Sequence, residues 1–310
     1  MSTVFDHLLT ESPDGPAASL DAAWQRYRAV APRFPLPVDA AAVGGHSADR
    51  LGYAFLSGYQ AAISALLPGL PGDRAYALAA TEEGGGHPAA IATTLTEGRG
   101  GPDGADGPTV RGTKTFTTLA RLAGGLIVIA SRGRGDDGRN RLAAVLVDAE
   151  GPGVTVTDRP ATAFAPELPH AVVTFEDAPA TPLPGDGYTD VLKPFRTVED
   201  IHVTAAALGW LVRVGRQAQW PPRALQQLLG VLSALRGLAA SPPGAPGVHV
   251  ALGGVFADLE RLLSELEPLW AQVDQTTRTR WERDRPLLSV AGRVRAQRLA
   301  TAWRALGAAD

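Results

Sequence analysis

Two groups of residues in this 310-residue chain have types and spacings suited to chemistry. The first is Thr81-Glu82-Glu83-Gly84-Gly85-Gly86-His87, followed downstream by Gly112-Thr113-Lys114-Thr115-Phe116-Thr117-Thr118. Three consecutive glycines free the backbone to take positive φ and let a ligand approach closely. The Thr81 and Thr118 hydroxyls and the successive glycine N–H groups are polar contacts for such a ligand. A glycine-rich hairpin without a ligand accounts for the same composition. The second group is Glu199-Asp200-Ile201-His202. His202 follows Glu199 by three residues, so on a helix the two share a face. There His202 can hydrogen-bond the carboxylate or act as an acid itself, although a histidine on an apolar face also serves as a structural donor. Glu199 and Asp200 equally suit a helix start, where the macrodipole favours acids.

Several chemistries are excluded. With no cysteine there is no disulfide, thiolate nucleophile or thiolate metal site. His7, His46, His87, His170, His202 and His249 show no metal-ligand spacing, so no metal is expected. Neither a G-x-S-x-G elbow nor a P-loop occurs. A formal net charge of −3, with both signs spread along the chain, argues against nucleic acid as a partner. No uninterrupted apolar run is long enough to span a membrane. The N-terminus lacks the basic-then-apolar design of a signal peptide, so a cytoplasmic protein is expected.

The positioning elements follow from periodicity. Residues 1 to about 16 read as a loose end, Ala17 to Val30 as a helix, and His46 to Leu67 as a second helix closed by Pro68 and Pro71. From Tyr76 to about Leu183, short apolar runs alternate with turn clusters at Gly98–Gly107, Gly133–Asn140, Glu150–Gly153 and Pro179–Gly187. That rhythm predicts an antiparallel barrel or sandwich. From Asp190 the period becomes helical, with helices over Val198–Ala218, from Pro221 to before Ser241, Val248–Trp270 and Leu287–Leu306. Short connections make these an antiparallel bundle. Arg278, Arg280, Arg283 and Arg285 read as a solvated linker, with a phosphate contact as the alternative. The expected domains are therefore 1–75, 76–188 and 189–310.

The order and wording of the barrel segment resemble the middle domain of the acyl-CoA dehydrogenase family. Thr81-Glu82-x-Gly-Gly-Gly stands where the family has T-E-P-x-x-G-S-D, and Gly112-x-Lys114-x-Phe116-Thr117-Thr118 where it has G-x-K-x-[FW]-I-T. Leu126 to Ser131 and Leu142 to Val147, then Pro152-Gly153-Val154, match its next strands and P-G-V. The resemblance implies an α+β fold with a short N-terminal helical part, a middle β-barrel and a C-terminal four-helix bundle. It also implies FAD held between barrel and bundle, often with a second subunit, and an acyl thioester substrate bound to CoA or a carrier protein. By position, Leu78, Ala80, Thr81, Gly86, His87, Phe116 and Thr118 would be the cofactor-binding residues. Phe116 has an ordinary barrel-core role as its alternative.

Three departures bear on activity. His87 replaces a phosphate-contacting serine. The pyrophosphate arginine of the family's R-x-x-F-G has no counterpart in Gln219-Trp220-Pro221-Pro222-Arg223, with Arg216 or Arg223 as substitutes. The usual Y-E-G glutamate near the C-terminus is missing from the sequence. A minority of the family instead keeps its base on the first C-terminal helix, just before an arginine. Those two positions fall on Glu199 and Asp200. Glu199 would then take the α-proton, with His202 beside it. The alternative is a redox-inactive member of the fold, either a partner subunit or a flavin-independent enzyme using the cleft for cyclisation or elimination. Self-association, or pairing with a related subunit, is expected from the apolar stripe Val255, Leu259, Leu262, Leu263 and Leu266.

Overall fold

The computed structural model describes residues 3–98 and 107–307, so most of the predicted turn at Gly98–Gly107 lies outside the described residues. The chain divides into two compact units. One comprises residues 71–162 and 168–195; the other, residues 1–70, 163–167 and 196–310. The terminal helices thus count together in one unit.

The first unit is a curled eight-stranded sheet. Its strands are β1 (Tyr76–Ala79), β2 (Thr94–Thr96), β3 (Thr109–Thr118), β4 (Gly125–Arg134), β5 (Asn140–Asp148), β6 (Val154–Asp158), β7 (His170–Pro179) and β8 (Thr181–Pro182). The order is β6-β7-β3-β2-β4-β5-β8, with β1 attached to β4. Most pairings are antiparallel, as the turn rhythm predicts, but β1 and β2 both pair with β4 in parallel. In β7 the inward Ala171, Val173 and Phe175 alternate with less buried residues, the mark of a sheet with one wet face. The central run Leu126–Ala130 is buried on both faces and correspondingly apolar throughout. Gly112 has φ of +146°, and a Cβ there would sit 2.6 Å from the Thr93 hydroxyl. A side chain at that position would collide with the segment leading into β2.

Beneath the Gly84–Gly86 turn lies a buried ion pair. Lys114 is fully buried, and its Nζ donates to Glu82 Oε1 at 2.6 Å, to the Ile129 carbonyl at 2.6 Å and to the Ala80 carbonyl at 3.4 Å. Glu82 also accepts the Ala92 and Thr93 N–H groups at 2.7 and 3.0 Å. Burial lowers the Lys114 pKa to about 8 against the pull of Glu82. For Glu82, burial works upward, but Lys114 and the two N–H groups outweigh it and keep the carboxyl low. The T-E and G-x-K residues therefore lock the barrel internally.

The second unit is helical: α1 (Val4–Thr10), α2 (Leu20–Val30), α3 (Pro37–Ser47), α4 (Leu51–Leu66), most of α5 (Lys193–Gln217), α6 (Pro222–Ala239), α7 (Pro246–Leu266), α8 (Gln275–Asp284) and α9 (Gly292–Ala305). α1 replaces part of the expected loose end. Thr3 and Asp6 cap it reciprocally, a capping box that fixes so short a helix. Sequence periodicity merged the end of α3 with α4 and missed the rest of α3, because Val38–His46 is buried all round and has no polar face to set a period. α5 packs directly on α3: a Cβ at Gly209 would lie 1.9 Å from the Ala42 carbonyl oxygen, and one at Gly45 would lie 1.9 Å from that of Ala206. Backbone meets backbone here, which only glycine permits.

Two expectations change in this unit. The arginine-rich stretch runs along the helix α8 and one residue past it, and its side chains are engaged: Arg280 meets Asp49 at 3.3 Å, Arg283 meets Asp284 at 2.6 Å and Glu167 at 3.2 Å, and Arg285 meets Glu267 at 3.4 Å. Of the stripe expected to face another subunit, Leu259, Leu262 and Leu266 are buried within the chain. Trp270 and Trp281 stack at 4.7 Å and 5°, Trp210 lies 5.8 Å from Trp281, and Trp220 meets Trp270 edge-on at 5.6 Å. None of the described helices is long and apolar enough to cross a membrane.

Candidate functional site

The candidate residues fall in both units. On the barrel, an isolated bridge joins Thr81 to Phe116 across the end of β1 and β3, and the Thr115 N–H donates to the Thr81 carbonyl at 2.8 Å. The register between β3 and β7 sets Thr118 opposite His170. Thr118 Oγ1 and His170 Nδ1 are 3.2 Å apart. The His170 ring stacks on Phe116 with centroids 4.2 Å apart and planes at 25°. Arg159 places its guanidinium 5.4 Å from the Phe116 centroid and anchors itself on the Thr115 carbonyl at 3.0 Å. Burial, then the Arg159 charge, lowers the His170 pKa.

Phe116 is therefore not a core residue. It remains 40% exposed, a large aromatic surface that a filled barrel interior would have removed. Thr81 and Thr118 flank it half-buried, and the Thr81 hydroxyl has no hydrogen-bond partner among the described residues. Ala80 is buried and gives its carbonyl to Lys114; Leu78 on β1 is half-buried. In the glycine turn, Gly85 has φ of +93° and Gly86 is half-buried. His87 caps the short helical turn Pro88–Ala90, its Nδ1 accepting the Ala89 N–H at 3.2 Å. That bond puts the neutral ring's proton on Nε2, where an exposed His87 offers an outward donor.

On α5, Glu199 is half-buried and Asp200 and His202 are buried. Burial first, then the Asp200 carboxylate, pushes Glu199 up to about 8, against the Arg295, Arg298 and Arg196 charges. A carboxyl poised near neutral pH is suited to proton transfer. Asp200 points elsewhere: Arg295 holds it at 2.9 and 2.8 Å, and Arg298 makes a second, shorter contact. His202 donates Nδ1–H to the Val198 carbonyl at 2.7 Å, and burial takes its pKa down to about 4. No hydrogen bond joins His202 to Glu199 among the described residues, so His202 takes the structural alternative. Arg216 is committed to the Leu8 and Glu11 carbonyls and to His46. Arg223, at the start of α6, is exposed.

Sequence reasoning missed His170 and Arg159. They reach Phe116 through strand pairing across the sheet, for which no local pattern exists. Arg295 and Arg298 did leave a signal, since arginines three apart share a helix face, but their target on α5 is remote in sequence.

Residues 77–178 match the family model described as acyl-CoA dehydrogenase, middle domain. The curled sheet is similar to an acyl-CoA dehydrogenase middle domain. Solved structures extend the likeness of fold beyond it. Butyryl-CoA dehydrogenase from Megasphaera elsdenii aligns with a TM-score of 0.66 at 14% identity, covering 96% of this chain and 88% of that one. The prolyl acyl carrier protein oxidase AnaB gives 0.65 at 15% identity, covering 97% and 93%. FMN-bound TdsC from Paenibacillus sp. A11-2 gives 0.66 at 18% identity, again covering 97% and 93%. No curated protein matches the chain by sequence. The acyl-CoA dehydrogenase fold thus extends across the helices as well as the sheet, and the α+β architecture expected from the sequence is the one observed.

Proposed function

We propose that this chain is a flavin-dependent oxidoreductase that removes hydrogen from the α and β carbons of an acyl thioester carried by CoA or a carrier protein. The observation that carries the reading is the barrel face, where Phe116 stays 40% exposed between the half-buried Thr81 and Thr118. An exposed aromatic between hydroxyls fits a planar, polar-edged ring system. A flavin bound there supplies the two-electron acceptor that dehydrogenation requires. Phe116 stacks and orients, the unpartnered Thr81 hydroxyl donates, and the outward His87 Nε2–H suits phosphate. Glu199, in the ionised form that grows as pH rises toward about 8, accepts the proton from the carbon beside the thioester carbonyl. Self-association or a related subunit, and a cytoplasmic location, belong to the same reading.

A redox-inactive member of the fold is the second reading. It is favoured by Asp200, an acid bound to two arginines of α9 where the family pattern has an arginine. The absorbance spectrum of purified protein, alone and after adding FAD or FMN, separates the two. Flavin binding is expected, and Glu199→Gln should retain it while slowing flavin reduction by an acyl thioester about 10²–10⁴-fold. A colourless protein that takes up neither flavin overturns the first reading, and unchanged reduction in Glu199→Gln overturns the role of Glu199.

A further inference from the structure

Two buried histidines meet inside the helical unit. His7 of α1 and His46 of α3 are buried, and their rings stand edge to face with centroids 5.7 Å apart. Phe34 packs edge-on against His7 at 5.2 Å. Arg216 of α5 ties the two helices together. Its Nη1 donates to the Leu8 carbonyl at 2.9 Å, to the Glu11 carbonyl at 2.5 Å and to His46 Nε2 at 3.3 Å. Leu8 lies in the last turn of α1 and Glu11 caps it, so the guanidinium satisfies carbonyls that a helix end leaves open. An arginine can only donate. His46 Nε2 must therefore accept, which requires a neutral ring.

The charges around the pair oppose a second proton. His7, Arg216 and Arg213 face His46; Arg33, Arg216 and one acid, the exposed Glu11, face His7. Arg213 is buried and donates to the His46, Ser47 and Asp14 carbonyls. The Asp14 and Asp49 carboxylates and Arg26 lie near Arg213. Other charges on the elements around α3 are engaged elsewhere. Asp39 holds Arg236 of α6 at 2.6 Å, Asp49 holds Arg50 at 2.7 Å and Arg280 at 3.3 Å, Asp6 belongs to the α1 cap, and Arg26 of α2 serves the Gly15 and Pro16 carbonyls. Tyr27, Tyr53 and Tyr59 on α2 and α4 carry no charge at or below neutral pH. Burial first, then its cationic neighbours, takes the His46 pKa down to about 3, and burial lowers His7 as well.

We propose that His46, His7 and Arg216 form an acid-sensitive latch on α1: protonating His46 breaks its bond to Arg216 and releases α1 while the remaining helices stay folded. Closed, the latch keeps His46 neutral to about pH 3; opened, the ring titrates near 6.5. Each pH unit below 6.5 therefore favours the open form by up to about tenfold. No residue of the barrel face takes part, so the inference is independent of the flavin reading. The test is amide hydrogen exchange of the full chain between pH 7.5 and 5, corrected for the intrinsic pH dependence of exchange. Opening of α1 should increase at least about fivefold over that range, with a ceiling of about thirtyfold, while α5 and α6 keep their protection. His46→Gln retains an acceptor for Arg216 and cannot become charged, so it should match wild type at pH 7.5 and lose most of the response to acid. Circular dichroism checks its fold. Should it misfold, an NMR titration of the wild-type imidazoles decides, because the His46 ring should stay neutral well below pH 6.5. An α1 that stays protected at pH 5, equal loss of protection in α5, a folded His46→Gln with the full acid response, or a His46 ring that charges near pH 6.5 overturns the proposal.

Discussion

Glu199→Gln should change the pH dependence of stability, whatever ligand the protein binds. A glutamate ordinarily titrates near 4.5, and folding pushes Glu199 up to about 8. Between those values the folded chain keeps a proton that the unfolded chain has lost, so stability falls as pH rises across the interval. At roughly 1.4 kcal/mol per pH unit over about 3.5 pH units, the ceiling is about 5 kcal/mol. Glu199 is only half-buried, and solvent screening brings the expected loss to about 2–3 kcal/mol. Glutamine carries no charge at any pH and keeps the shape. The variant should therefore match wild type near pH 4.5 and exceed it by about 2–3 kcal/mol at pH 9. Urea unfolding followed by circular dichroism at several pH values measures the difference. Parallel stability curves for the two proteins would refute the reasoning, because they would mean that Glu199 ionises as freely in the fold as out of it.

Other perturbations test the packing and the barrel face. Lys114→Met strands the Glu82 carboxylate in the barrel and should cost about 3–5 kcal/mol, while adding Glu82→Gln should recover most of it; a denaturation cycle on the four proteins reads this. Gly209→Ala should lose about 3 kcal/mol or more, because its Cβ falls 1.9 Å from the Ala42 oxygen; the same unfolding measurement checks it. Phe116→Ala should leave stability within about 1 kcal/mol yet weaken flavin roughly three- to tenfold, read by flavin fluorescence quenching.

The barrel was the most legible part of the sequence because each strand announces itself locally, by alternation and by glycine-bounded ends. The reading erred where burial erased periodicity, as in the all-buried α3, and where capping rather than apolar spacing made a helix, as in α1. The Thr81, Phe116 and Thr118 cluster was visible as text. That Phe116 faces outward was not, because strand alternation does not say which face a barrel closes over. Glu199 was visible as an acid at the right place; its perturbation depends on Asp200 and on arginines in α9 that no local pattern connects to it.

The distribution of tryptophan has an optical consequence. Trp24, Trp210, Trp220, Trp270, Trp281 and Trp303 all belong to the helical unit, and the barrel unit contains none. Intrinsic indole emission therefore reports the helices alone, and the close stack of Trp270 on Trp281 gives that unit a near-ultraviolet dichroism of its own. Far-ultraviolet dichroism instead sums the helices and the sheet. The wild-type chain thus arrives with one half labelled and the other dark, and comparing the two signals during melting shows directly whether barrel and helices come apart in one cooperative step or in two.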